Sequence, residues 1–358
     1  MKDFRGLPAV LAAFAVAACA ASPRPMVTPD LSASCRAAPS VQEGSAVVQW
    51  SAPADGRDRA RLDSWCAGVG PVLLRQQTGN QADRDVPNLD ELTFVSWNVH
   101  VGVADLDALV RDIQSGLLTG GRGRDRIILM LQEAVRSDGV PRAVPDGASA
   151  ARWIGSDDST HRGELGMLAQ KLKMSVFYVP SMRNGAASTR QVPTDRGNAI
   201  LSSQPLSRPA AIELPGERQR RVAVTAIVEV KAGGKPMALS IGSAHLDALA
   251  GPRSLWLFGA SATRIAQAKS LMAALPGGFL ILGADLNTWL GPNEPAARDL
   301  SQFFPFSPET SRETTLRAGL VLDYMFFRPP PGWRAHVQRA ARRYGSDHYP
   351  LIGWLDPE

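Results

Sequence analysis

Cysteine, aromatic residues and long apolar runs are all scarce in this sequence, and each scarcity narrows what it can be. Three cysteines stand among 358 residues, at Cys19, Cys35 and Cys66. None has a histidine or a second cysteine at ligand spacing, which argues against structural zinc. Aromatics make up only 6% of the chain, so no interleaved stacking platform for single strands is evident. Beyond the N-terminus no segment approaches the roughly 20 apolar residues of a membrane-spanning helix. Charge of one sign does not dominate either. A net charge of +5 admits an anionic substrate without requiring one, and the pI of 9.4 reflects many arginines rather than a polybasic arm. Hydrophobic and charged contents of 44% and 20% are globular values.

The one sustained apolar run, Leu7–Ala18, follows Lys2 and Arg5 and ends in Val-Ala-Ala-Cys at Cys19. Basic residues before a short apolar segment mark export. The tetrapeptide resembles the bacterial lipobox, so residues 1–18 are expected to be a lipoprotein signal peptide and Cys19 the lipidated residue. The plainer alternative is an ordinary signal peptide cut before Ser22. The lipobox reading places the protein in the bacterial cell envelope, anchored to a membrane by lipid alone and facing the periplasm or the exterior. It also leaves an even pair of cysteines, and an exported chain is expected to oxidise Cys35 and Cys66 to a disulfide. Residues 19–90, rich in Ala, Ser, Pro and Arg, read as a tether and a small disulfide-clipped region, with a short helix over Arg59–Val69.

The texture changes at Leu92. Runs at Leu92–Val99, Asp125–Ala134, Met174–Ser181, Asn198–Ser203, Val321–Arg328, Trp333–Gln338 and His348–Leu355 have strand character. Arg221–Val230 and Met237–Ala244 form a hairpin across Lys-Ala-Gly-Gly-Lys-Pro. Helical spacing marks Asp105–Leu118 (with Asp105 as N-cap), Leu165–Leu172, Trp256–Leu275 and Pro295–Phe304. The alternation of strands and helices, with hairpins, indicates an α/β core of packed sheets over residues 91–358.

Polar residues end these strands, and they are chemically alike. The clearest stretch is Gly278–Trp289, GFLILGADLNTW, where an apolar run stops at Asp285 and Asn287. On an extended strand these would share one face, and Gly283 and Ala284 would leave room for a ligand. Asn98 follows FVSW, Glu133 follows LMLQ, and His245 follows IGSA with Asp247 two residues on. Asp323 interrupts VLDYMFF, and Asp347 and His348 open the last strand. Singly each has a bland reading as a turn former or a satisfied core residue. His100, His161 and His336 are placed in that structural class, and Asp247 at even odds between a supporting residue and a plain loop. Together they form a set of hard oxygen donors with two histidines, suited to Mg2+, Mn2+ or Ca2+.

The order N…QE…GNAILS…HxD…GADLN…LDY…SDHxP resembles the endonuclease/exonuclease/phosphatase (DNase I-like) superfamily over about Leu92–Leu355. The resemblance implies a four-layer α/β sandwich, two packed mixed β-sheets flanked by helices. It implies a divalent-metal-dependent phosphoesterase acting as a monomer on a phosphate-ester substrate, with nucleic acid one such partner. By motif match, Glu133 is the principal metal ligand, supported by Asn98 and Asp347. Asp285 orients or deprotonates water, Asn287 binds a phosphate oxygen, His348 works with Asp323, His245 stabilises developing charge, and Asn198 supports the edge of the site. Nuclease-type phosphodiester hydrolysis leads. The alternatives are a sphingomyelinase-like or small-molecule phosphodiesterase or phosphatase, and a non-catalytic binding module that keeps the fold. Arginine groups at 183/190/196, 218/220/221 and 339/342/343 suit either a nucleic-acid backbone or a solvated surface.

Overall fold

The computed structural model of the chain describes residues 26–28, 47–77, 85–142, 164–184, 192–216, 219–248, 256–305 and 313–358. Cys19, Cys35, His161, Arg190 and Arg218 lie outside these residues.

Among the described residues two mixed sheets of seven strands each pack face to face. The first runs β1 (Met26–Val27), β2 (Gln49–Pro53), β8 (Ser207–Leu214), β9 (Arg221–Ala232), β10 (Lys235–His245), β11 (Leu280–Asp285) and β12 (Asp323–Arg328). The second runs β13 (Trp333–Arg339), β14 (Leu351–Pro357), β4 (Thr93–Asn98), β5 (Ile127–Arg136), β7 (Thr194–Ser202), β6 (Ser175–Asn184) and β3 (Leu73–Arg75). Alternate residues of facing strands, among them Phe94, Met130, Phe177, Val224, Ile241, Ile281 and Phe327, fill the space between the sheets. The other faces are covered by helices. On the second sheet, α2 (Leu106–Gln114) buries Leu106, Leu109, Val110 and Ile113, and α3 (Leu165–Lys171) buries Leu165 and Leu168. On the first, α4 (Trp256–Ala274) and α5 (Pro295–Phe303) cover β11 and β12 through Ala268, Leu271, Ala297 and Leu300. Each fully buried Leu or Ile there is worth roughly 1.5–3 kcal/mol.

The expected elements are present, with instructive differences. Asp105 caps α2 by accepting from the Ala108 amide at 3.0 Å. The β9–β10 hairpin turns through Gly233 and Gly234, both at positive φ, as a tight primed turn requires. The segment expected to be a tether supplies edge strands to both sheets, since β2 pairs with β8 and β3 with β6. It also carries α1 (Gly56–Cys66), whose N-cap is Asp55, so the helix expected over 59–69 starts and stops earlier. Strand β8 was hidden by Pro209. A register shift between Ser207 and Ala210, with Arg208 at φ 46°, takes the proline out of the ladder. Gly283 does not make room for a ligand. A Cβ there would come within 2.7 Å of Ser96 and 3.0 Å of the Met130 Cβ, so the missing side chain lets the two sheets approach.

Candidate active site

The register of the first sheet builds half of the site. His245 pairs with Asp285 across the parallel β10–β11 ladder, and Asp285 pairs with Asp323 across the antiparallel β11–β12 ladder. Three strand ends therefore set His245, Asp285 and Asp323 in one row. The second sheet supplies the rest from the end of β4 and the turn before β14. There the Ser346 hydroxyl donates to the Asn98 carbonyl at 2.7 Å and accepts from the His348 amide at 3.0 Å. The indole of Trp97 donates to the His348 carbonyl at 3.1 Å. These bonds fix His348 against Asp323, with Nδ1 and Oδ2 2.7 Å apart.

Asp285 is the hub. Its Oδ2 accepts from Asn98 Nδ2 at 2.8 Å and lies 3.4 Å from His245 Nε2 and 4.0 Å from His348 Nε2. Its Oδ1 accepts from the Asn287 amide at 2.9 Å. That bond corrects the expectation of an extended Asp-x-Asn: the strand stops at Asp285 and Asn287 sits at φ 50°. An Asx-type turn, which asparagine tolerates in the left-handed region, swings its carboxamide to 2.8 Å from His245 Nε2 and 3.0 Å from the Leu246 carbonyl. Glu133 is aimed in a similar way. It occupies a bulge of β5 between Leu131 and Ala134, at φ 56°, and accepts from the Val101 amide at 3.1 Å. Asp347 pairs with His100 Nδ1 at 3.0 Å.

Asn98, His100, Glu133, Arg196, Arg221, His245, Asp285, Asn287, Asp347 and His348 line one cavity of about 240 Å³. Their protonation is set by neighbours. Burial, then the charge of Asp323, pushes the Asp285 carboxyl up to about 7. Burial opposes the charge on His348, but the adjacent Asp323 outweighs it, with help from Asp285 and Asp347, and raises the imidazole to about 10. His245 is held well below the usual histidine range by burial and by Arg221. Its two nitrogens face donors, Arg221 Nη1 at 3.1 Å and Asn287 Nδ2, a setting that resists a second proton. The site thus holds a carboxylate near its midpoint at neutral pH, one imidazolium and one neutral imidazole.

No protein-family model matches the chain, and no curated protein does. The endonuclease/exonuclease/phosphatase protein of Beutenbergia cavernae DSM 12333 superposes with a TM-score of 0.50 at 18% identity, over 75% of this chain and 72% of that one. The chain has the endonuclease/exonuclease/phosphatase fold. The catalytic domain of human Nocturnin, solved with bound sulfate, follows at a TM-score of 0.48 and 18% identity, over 79% of this chain and all of that one. The family protein from Leptotrichia buccalis C-1013-b gives 0.47 and 14%, over 75% and 99%.

In this endonuclease/exonuclease/phosphatase fold, eight of the sequence-derived site residues meet at the sheet ends: Asn98, Glu133, His245, Asp285, Asn287, Asp323, Asp347 and His348. Asn198 does not line the cavity. It is buried between the sheets and donates to the Val222 carbonyl. Asp247 is buried too, its amide on Gln267 of α4 at 2.8 Å. His336 stacks on Trp354, as a structural histidine does. His100, expected to be a structural histidine, instead lines the cavity through its pair with Asp347, and no motif marks it. Arg196 and Arg221 were grouped with surface arginines, yet both are buried in the cavity wall.

One trio has the spacing to hold a divalent cation. Asp285, Asp323 and His348 are buried and offer ligand atoms within 4.8 Å of one another. Glu133, Asp347 and Asn98 line the same cavity with hard oxygen donors.

Proposed function

We propose that the chain is a divalent-metal-dependent phosphodiesterase of nuclease type. The observation that carries this reading is Asp285 poised near neutrality beside a charged His348 in one cavity. Glu133 and Asp347, with Asn98, would hold Mg2+ or Mn2+. That assignment leaves the His348–Asp323 bond intact, whereas an ion on the inner trio would compete for it. A cation there supplies Lewis-acid neutralisation of a non-bridging phosphate oxygen. The protein residues do the rest. Asp285, fixed on both oxygens by Asn98 and the Asn287 amide, takes the proton of the attacking water. His348, held in one orientation by Asp323, presents Nε2–H to a phosphate oxygen and remains charged at neutral pH. His245, neutral and held between Arg221 and Asn287, keeps the Asn287 carboxamide on the cavity wall beside the charge growing on the phosphorane-like centre.

Preference for nucleic acid rests on a second cavity, about 620 Å³, that shares His100 and Asp347 with the first and is lined by Arg317, Arg342 and Arg343. A polyanionic strand passing the scissile centre would meet those cations. A second reading, a phospholipid phosphodiesterase, is favoured by Trp289 and Leu290, exposed by 42% and 67% just after Asn287. The deciding assay is hydrolysis of plasmid DNA, bis-p-nitrophenyl phosphate and phosphatidylcholine vesicles with Mg2+, Mn2+ or EDTA. DNA cleavage lost in EDTA is expected, and Glu133→Gln should raise the Mg2+ needed for half-maximal rate about tenfold or more. Cleavage of vesicles alone selects the lipid reading, and silence on all three removes both.

The N-terminus carries its own proposal, a lipid anchor on Cys19 and a Cys35–Cys66 disulfide, supported by the lipobox and the even cysteine pair. Cys19→Ser should move the protein from the membrane to the soluble fraction, and non-reducing peptide maps should join Cys35 to Cys66. Membrane retention of the variant, or two alkylatable thiols, would contradict it.

A further inference from the structure

Buried arginines in this protein divide into two kinds. Arg136, Arg220 and Arg264 each meet a buried carboxylate: Asp195 at 2.8 Å, Glu213, and Glu294 at 2.5 Å. Arg183 directs its guanidinium to the carbonyls of Pro141 and Arg142, away from the cavity. Arg196 and Arg221 are different. Both are at most 6% exposed and both line the catalytic cavity. Neither has a carboxylate within 4.0 Å among the ion pairs of the described residues. Their fixed partners are neutral. Arg196 Nη1 donates to Asn184 Oδ1 at 2.7 Å, and Arg221 donates to Gln219 Oε1 at 2.9 Å and faces His245 Nδ1. The Nε–H of each is buried without a protein partner.

A buried guanidinium without a counter-ion is costly, and two side by side repel each other as well. Such groups persist where a ligand supplies the missing charge. Their place fits that role. Arg196 stands on β7, the neighbour of the β5 strand that carries Glu133, and Arg221 starts β9 on the facing sheet beside His245, and all four line the cavity. Guanidinium forks match tetrahedral oxyanions, whose oxygens accept paired N–H bonds.

We propose that Arg196 and Arg221 form a metal-independent oxyanion wall that grips the phosphate of the substrate, and of the product. The inference rests on the phosphoesterase reading and extends it. The phosphate is held by two fixed cations of the chain before any metal arrives, and the Asn184 and Gln219 amides keep both forks aimed. Arg221 also faces His245, so it links anion binding to the orientation of the neutral imidazole.

The test is calorimetric titration of inorganic phosphate into protein stripped with EDTA and dialysed. One phosphate per chain is expected. Arg196→Gln should weaken it about tenfold or more, the loss of one charge-assisted contact. Arg221→Lys, which keeps charge and loses the fork, should weaken it less than Arg221→Gln. Melting temperatures of all three variants confirm folding, and Arg221→Lys remains informative if a glutamine variant fails to fold. No phosphate binding in the absence of metal, or equal binding in wild type and folded variants, overturns the proposal while leaving metal-dependent hydrolysis standing. Phosphate binding without hydrolysis of any ester would retain the wall and remove the enzymatic reading.

Discussion

Replacing Asp285 by asparagine should lower kcat by about 10³-fold and at the same time stabilise the metal-free protein above pH 7. Both effects come from the same burial. The carboxyl is enclosed, faces Asp323, and is pushed from 3.8 to about 7. Between those values the unfolded chain has released its proton while the folded chain still holds it. Folded stability therefore declines as pH rises from about 4 to about 7 and stays reduced above that. Asparagine is nearly isosteric and has no charge to desolvate, so it removes the penalty, on the order of 2–4 kcal/mol. Its single amide oxygen can accept from the Asn287 amide or from Asn98 but not from both, which offsets part of the gain. Thermal unfolding of EDTA-treated protein at pH 4 and pH 8 reads the difference, which should be near zero at the lower pH. A variant within tenfold of wild-type rate would take Asp285 out of the mechanism. A melting curve unchanged at pH 8 would show that the carboxyl is not strained.

Asp323→Asn is the second large effect. Asp323 Oδ2 lies 2.7 Å from His348 Nδ1 and is the main reason the imidazole titrates near 10 in a buried place. With its charge removed, burial prevails and the His348 pKa should fall by several units, leaving the ring neutral at pH 8. The rate at that pH should drop about 10²-fold or more. Proton NMR of the imidazole Cε1–H against pH, in metal-free protein, follows the shift directly. The pH slope has the same sign as for Asp285, because both pKa values are raised, but it lies in a higher window. The raised pKa stabilises the fold fully below about 6.5, and that contribution disappears as pH rises through about 10. An unchanged titration would assign the raised pKa to other neighbours.

Much of this was legible in the residues because chemistry clusters at strand ends. GFLILGADLN gave both the strand and its terminal Asp285, and the alternation of apolar runs with helical spacing gave the layers. Less visible was how the side chains are aimed. Glu133 depends on a bulge and Asn287 on a left-handed turn, and local irregularities of one residue leave no periodic signal. Arg196 and Arg221 looked like members of surface groups, since sequence proximity to Arg190 or Arg220 says nothing about which face of a strand each occupies. The short strands β2 and β3 read as tether because a three- to five-residue strand gains its stability from the sheet it joins, not from its own composition. Gly283 was assigned to a ligand when it belongs to the opposite sheet, an across-the-core contact no single strand reveals.

The row of His245, Asp285 and Asp323 lies on one sheet, and Asn98, Glu133 and His348 come from the other. Neither sheet alone contains a working centre. Along the chain Asn98 and His348 are 250 residues apart, and β14, which follows His348, inserts between β4 and β13. The cavity is consequently incomplete until β14 docks, and a fold with such distant pairings closes slowly.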